Sequence, residues 1–265
     1  MTTPYLLANR NPHGQHFYTS RNKPILAIVM HVTAGLEDLD ATDDQSAERT
    51  ARYAATTERR VSWHQGTDAD SNVVLLPDTY TAFHVAGYNS CTLGRELSKR
   101  HTNWRNMPKP WVDGTLGHAA PADAEWCRRH NIPVRKANRR ELDAALGMWQ
   151  RSGAVTPVGF IGHGELDPAR RTDPGFVQSV DTFPWHSYLE LVRHHLAPPA
   201  PESIPEDLMS LSVDGRDLVD LVYAAANRTP DAEGRAYWVG EFACTENAAQ
   251  RKVILDSLRH QLGLP

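Results

Sequence analysis

Two short apolar runs, each leading into a histidine, constrain this chain more than any other feature. The first is PILAIVMHV, Pro24 to Val32, bounded by a proline and by the turn at Gly35. The second is Val158 to Ile161, which opens into GHGELDPARRTDPG, Gly162 to Gly175. Short aliphatic runs bounded by turn residues read as strands buried on both faces. His31 ends the first run and His163 follows the second. Asp173 comes ten residues after His163, on a loop that Pro168 and Pro174 stiffen, with Arg170 and Arg171 close by. A neutral imidazole and a carboxylate suit one divalent metal, and catalytic zinc usually takes three protein ligands and keeps a position for water. His31, His64 and His84 are the candidates for the third ligand. His31 is the best of them, because it ends the most apolar strand, which should be central in the sheet. His64 alternates with Ser62 and reads as a packing or hydrogen-bonding residue. His84 lies on a loop, where a polar side chain is placed to meet a ligand.

The rest of the pattern surrounds these strands with helices. Asp43 or Asp44 can cap a helix through QSAERTARYAATT that ends before Val61. VSWHQGTD and NVVLLPD predict a hairpin around Ala69 to Asn72, and CTLGREL predicts a short strand. Ser98 to Gly117, with Trp104, Trp111 and two prolines, reads as a long surface loop over the sheet. Helices are expected at about Ala120 to His130, Arg139 to Arg151 and Pro184 to Leu196. The second of these carries Leu142, Ala145, Leu146 and Trp149 on one face. APPAPESIP, Ala197 to Pro205, has the composition of a linker. The residues beyond it look helical, with Thr229 and Pro230 at N-cap and N1 positions and Thr245 capping the last helix. The expected fold is therefore α/β (α+β): a single mixed β-sheet flanked by helices over residues 1–196, a linker over 197–205, and a small all-helical module over 206–265.

Composition excludes several partners. There are 28 basic and 32 acidic residues, a net charge of −4, which argues against nucleic acid. Cys91, Cys127 and Cys244 are far apart and show no CxxC spacing, so reduced thiols are expected rather than a disulfide framework or a thiolate metal cluster. The N-terminus lacks the pattern of a signal peptide. The longest aliphatic run, Ile25 to Met30, falls far short of the roughly 20 residues a membrane span needs, so no membrane insertion is expected. The chain is expected to act as a monomer.

The order HVTAG, VSWHQGTDADSNVVLLP, AFHVAGYNSCTLGREL and GHGELDPARRTDPG resembles the zinc N-acetylmuramoyl-L-alanine amidases, a family that also includes peptidoglycan recognition proteins. The pieces WCRRHNIPVRKANR and RRTDPGFVQSVDTFPW look most like the amidase domains of endolysins (lysin A) from phages of mycobacteria and their relatives, and the excess of arginine over lysine fits such a host. The resemblance implies a Zn2+ cofactor held by His31, His163 and Asp173, with peptidoglycan as the substrate. It aligns Glu96 with a glutamate that assists the attacking water. It places Arg171 where the muropeptide-recycling branch has an oxyanion-stabilising lysine, a departure that keeps the charge but stays protonated. His84, Tyr88 and Asn89 would line the groove. The implied protein is a phage lysin made without a signal peptide in the host cytoplasm and acting on the wall after release. The alternatives are a bacterial recycling amidase and a non-catalytic peptidoglycan-binding protein. RTPDAEGRAYW, Arg228 to Trp238, resembles the core of a small helical domain of bacterial surface proteins. Residues 206–265 hold ten acidic and six basic side chains, which disfavours electrostatic attachment to an anionic wall polymer.

Overall fold

The apolar run from Pro24 to Val32 forms a strand because aliphatic residues, four of them β-branched, can be covered on both sides only inside a sheet. In the computed structural model, which describes residues 2–4, 16–33, 43–99, 103–178 and 180–196, every residue of β3 (Ala27–Val32) is buried. Parallel strands flank it on both sides, β7 (Thr92–Leu97) and β8 (Gly159–Gly162). The sheet continues through β4 (Gln65–Thr67), β5 (Asn72–Val74) and β1 (Thr2–Pro4), giving the order β1-β5-β4-β7-β3-β8. The expected hairpin is the antiparallel β4–β5 pair. Two small ribbons complete the strands: β2 (Phe17–Tyr18) with β6 (Thr81–Ala82), and β9 (Phe176–Val177) with β10 (Val180–Asp181).

Alternation along the strands divides the interior in two. Ile28, Met30 and Val32, with Leu93, Leu97 and Phe160, pack under α2 (Lys109–His130) and α5 (Trp185–Leu196). Ala27, Val29 and Ile161 pack with Leu142 and Ala145 of α3 (Arg139–Ser152). Asn138 and Glu141 close a capping box at the start of α3, and Gly153 ends it at φ 74°. The alanines of α1 (Ser46–Thr56) cover Trp63, Leu75 and Leu76. The N-cap position is Gln45 and not the expected Asp43 or Asp44, but Asp44 accepts from the Ser46 N–H at 2.9 Å and Asp68 from Ala47 at 2.7 Å.

Within 98–117, the described segment 103–117 departs from expectation. It is not a surface loop. A turn at Trp104–Asn106 leads into α2, which starts at Lys109 and runs for 22 residues. Trp104 is 4% exposed and Trp111 is fully buried. The prolines and glycines that suggest a loop have other uses. Pro110 sits in the first turn, where a missing N–H costs nothing. Gly114 lets the helix approach the Ala69 carbonyl so closely that a Cβ would lie 2.3 Å from its oxygen. Burial of two tryptophans outweighs weak local helix propensity.

Cys91 and Cys127 are free and buried, as expected. None of the helices among the described residues is long and apolar enough to cross a membrane. The chain divides into two compact units, residues 1–196 and 197–265. The turn at Gly35, the linker, Cys244 and the C-terminal helices with their expected caps lie outside the described residues.

Candidate metal centre and active site

Strand register assembles the site. β3 and β7 are parallel with His31 opposite Glu96, so both side chains leave the same face near the C-terminal ends of their strands, where α/β sheets gather ligands. The neighbouring Arg95 points to the opposite face and is fully buried. There it donates to Asp123 at 2.9 Å, Thr67 Oγ1 at 2.8 Å and Gln65 Oε1 at 2.9 Å, with its guanidinium 4.9 Å above the Trp126 ring. His163 follows β8 and opens a single helical turn, α4 (His163–Leu166). The loop after it returns Asp173.

His31 Nδ1 and His163 Nδ1 each lie 3.2 Å from Asp173 Oδ2. All three residues are buried, and they form the only group of metal-ligand type found among the described residues, with donor atoms within 4.8 Å of one another. A tetrahedral ion with bonds of about 2.1 Å sets neighbouring ligand atoms about 3.4 Å apart, so both measured separations fit a shared ion. The protonation states fit as well. Burial, only partly offset by the stabilisation that the Asp173 carboxylate would give the protonated form, pulls the His31 pKa down to about 4, leaving it neutral at pH 7. Burial pushes the Asp173 carboxyl upward, but its close polar contacts with His163 and His31 overcome it and hold the group well below the usual range. These residues can hold a divalent cation.

The Asp173 loop is clamped from behind. Its carbonyl accepts from the Gly164 N–H at 2.6 Å, the Trp104 indole donates to Pro174 O at 2.7 Å, and Thr182 Oγ1 donates to Gly175 O at 2.7 Å. The Asp173–Pro174 peptide is cis. Sequence reasoning misses Trp104 and Thr182 as parts of the site. Their role depends on contacts 70 and 7 residues away in the chain, which periodicity does not carry.

Glu96 is partly buried in the same cluster. Burial first, and the Asp173 carboxylate second, push its pKa well above 4.5, while Arg171 opposes them. Arg171 is exposed on the loop, and its charge acts on both His31 and Glu96. The structure thus brings His31, His163, Asp173, Glu96 and Arg171 together.

Of the three residues expected to line a groove, His84 and Tyr88 are buried, and Asn89 borders a cavity with Tyr18, Asn22 and Thr81. His84 is 8% exposed and sits behind His31, its Nδ1 3.0 Å from His31 Nε2 and its Nε2 3.2 Å from Thr92 Oγ1. It fits there because Gly94 has no side chain; a Cβ would lie 2.8 Å from the imidazole. Asn89 Oδ1 accepts the backbone N–H groups of His84 and Val85 at 2.9 and 2.7 Å. The Tyr88 hydroxyl donates to Asp143 on α3 at 2.6 Å. These contacts brace the fold. Tyr88 and Asn89 precede the start of β7, and Glu96 lies four residues beyond it, about 13 Å at strand rise. His64 is fully buried, accepts from the Gly94 N–H at 2.9 Å and lies 3.1 Å from Tyr80 O, consistent with a hydrogen-bonding residue.

Comparison with solved structures finds similar chains. The Staphylococcus aureus hydrolase AmiA, in complex with its ligand, is 15% identical over 74% of this chain and 83% of its own, with a TM-score of 0.50. The catalytic domain of XlyA is 17% identical over 72% and 99%, at 0.45. The N-acetylmuramoyl-L-alanine amidase LysC from Clostridium intestinale URNW is 12% identical over 72% and 97%, at 0.42. At 15% identity the likeness to AmiA is one of fold alone. No curated protein matches the chain. The sequence pattern of the Amidase_2 family, described as N-acetylmuramoyl-L-alanine amidase, matches residues 21–176, a span that includes the three candidate ligands, Glu96 and Arg171. The chain belongs to the N-acetylmuramoyl-L-alanine amidase family.

Proposed function

We propose that this chain is a zinc-dependent peptidoglycan hydrolase that cleaves the amide between N-acetylmuramic acid and the L-alanine of the stem peptide. The observation that carries the reading is the convergence of His31, His163 and Asp173 beside Glu96. When bound, zinc would supply Lewis acidity toward the amide carbonyl and the attacking water. Glu96 takes a proton from that water as it attacks the lactyl carbonyl and returns it to the amine of L-alanine as the C–N bond breaks. A carboxyl pushed above its usual range suits a group that must both accept and give up a proton near neutral pH. The Arg171 guanidinium stabilises the negative charge that develops on the carbonyl oxygen. The sequence likeness to phage lysins of mycobacteria and the arginine bias support an endolysin acting on polymeric wall, with 1–196 as the catalytic unit and 206–265 as a wall-binding module.

Mass analysis of digested walls tests the bond: released peptides should begin with a free N-terminal L-alanine. Glu96→Gln should bind zinc normally and lose most hydrolysis. If that variant digested wall at the normal rate, Glu96 would have no part in the reaction.

A further inference from the structure

Two protons decide whether His31 can serve as a metal ligand at all. A neutral imidazole carries one N–H. If the His31 proton sits on Nδ1, it donates to the Asp173 carboxylate 3.2 Å away, and the two groups close the site against a cation. If it sits on Nε2, it donates to His84 Nδ1 at 3.0 Å and leaves the Nδ1 lone pair facing the site. The outcome depends on whether His84 Nδ1 accepts or donates.

That choice is made one step further back. The Thr92 hydroxyl has a single hydrogen, which it donates to the Tyr88 carbonyl at 2.9 Å. A carbonyl oxygen only accepts. Thr92 Oγ1 therefore meets His84 Nε2, 3.2 Å away, as an acceptor. His84 then carries its proton on Nε2, its Nδ1 accepts, and the His31 proton is drawn to Nε2. We propose that Thr92 and His84 form a positioning strut, anchored on the Tyr88 carbonyl, that sets the tautomer of His31 and keeps its Nδ1 free for the metal. The side chain of Asn89 supports it by holding the backbone N–H groups of His84 and Val85. This inference rests on the metal-centre reading and gives His84 a role behind the ligand instead of in the groove.

The test uses the full chain and two readouts. The first is zinc affinity, by competition with a chromogenic chelator. The second is the His31 tautomer in the metal-free protein, from long-range proton–nitrogen correlation spectra. Thr92→Val keeps shape and removes the hydroxyl. It should weaken zinc binding about 10- to 100-fold, the range typical of lost outer partners, with a proton emerging on His31 Nδ1. Thr92→Ser should restore both. Should Thr92→Val fail to fold, His84→Asn, which offers a carbonyl acceptor near the old Nδ1, and His84→Leu, which offers none, form the same contrast. Thr92→Val, or His84→Leu in its place, binding zinc as the wild type does, with the His31 proton still on Nε2, overturns the strut. Failure of the wild type to bind zinc overturns the metal centre instead, and the tautomer measurement tells the two apart.

Discussion

Replacing Trp104 with phenylalanine separates the part this residue plays in packing from its hold on Asp173. The indole N–H donates to the Pro174 carbonyl at 2.7 Å, and the ring is 4% exposed, 5.0 Å from Phe183. Phenylalanine removes the donor and leaves a buried carbonyl without it, a cost of about 1–3 kcal/mol. The smaller ring adds about 1 kcal/mol for the space it leaves. Trp111→Phe is the matched control, because it removes a buried indole N–H that donates to Asp44 Oδ2 at 3.0 Å, away from the Asp173 loop. Each variant should lose about 2–4 kcal/mol on the same reasoning, read from urea unfolding of the metal-free protein. Their metal affinities should differ. Trp104→Phe releases the residue after Asp173 and should weaken zinc binding about 10-fold, as outer-partner losses do. Trp111→Phe should leave it unchanged. Equal zinc affinities in the two variants would refute the claim that the indole holds the carboxylate in place.

Arg171→Lys should keep most hydrolysis of wall, whereas Arg171→Ala should lose about 100-fold or more, the scale of a lost oxyanion donor; equal rates in all three proteins would remove Arg171 from the reaction. A second expectation concerns stability against pH. Burial first, then the neighbouring carboxyls of Asp44 and Glu48, raise Asp68 from 3.8 to about 7. The folded state then holds this proton more tightly than the unfolded chain does, so this group's contribution falls as pH rises through that window and levels off above it. Asp68 should contribute to the difference in urea midpoint between pH 5 and pH 8 in the metal-free protein, a contribution that buried His31 opposes and that is lost in Asp68→Asn. An unchanged difference in the variant would show that Asp68 is not its source.

The candidate metal ligands are legible because each is tied to a feature with a period or a fixed spacing. His31 and His163 follow apolar runs whose burial is dictated by composition alone, and Asp173 sits on a short proline-bounded loop. The position of Glu96 opposite His31 is a matter of register between strands more than 60 residues apart, so at the level of sequence its role rests on resemblance alone. His84 shows a different limit. A loop histidine reads as exposed, yet this one turns inward, because a glycine on another strand leaves space for its ring. Trp104 and Trp111 mislead in the same manner, since a segment rich in Gly and Pro loses its loop character once helix and sheet close over it.

The pairing of Arg95 with Glu96 shows how the fold protects the site from its own ambiguity. Adjacent residues on a strand face opposite sides, and a slip of one residue exchanges them. In the native register Arg95 meets Asp123, Thr67, Asn72 and Gln65 in a largely buried network, and Glu96 lies on the face of the candidate metal ligands. A slipped β7 would set the Glu96 carboxylate against Asp123 and carry Arg95 to the His31 side, where a fixed cation opposes metal binding. Leaving one charge of a buried pair uncompensated costs about 3–5 kcal/mol, a large share of the roughly 5–15 kcal/mol that stabilises an ordinary domain. The buried arginine on the far side of the sheet therefore acts at a distance on the candidate site, by fixing the register that brings a carboxylate beside His31.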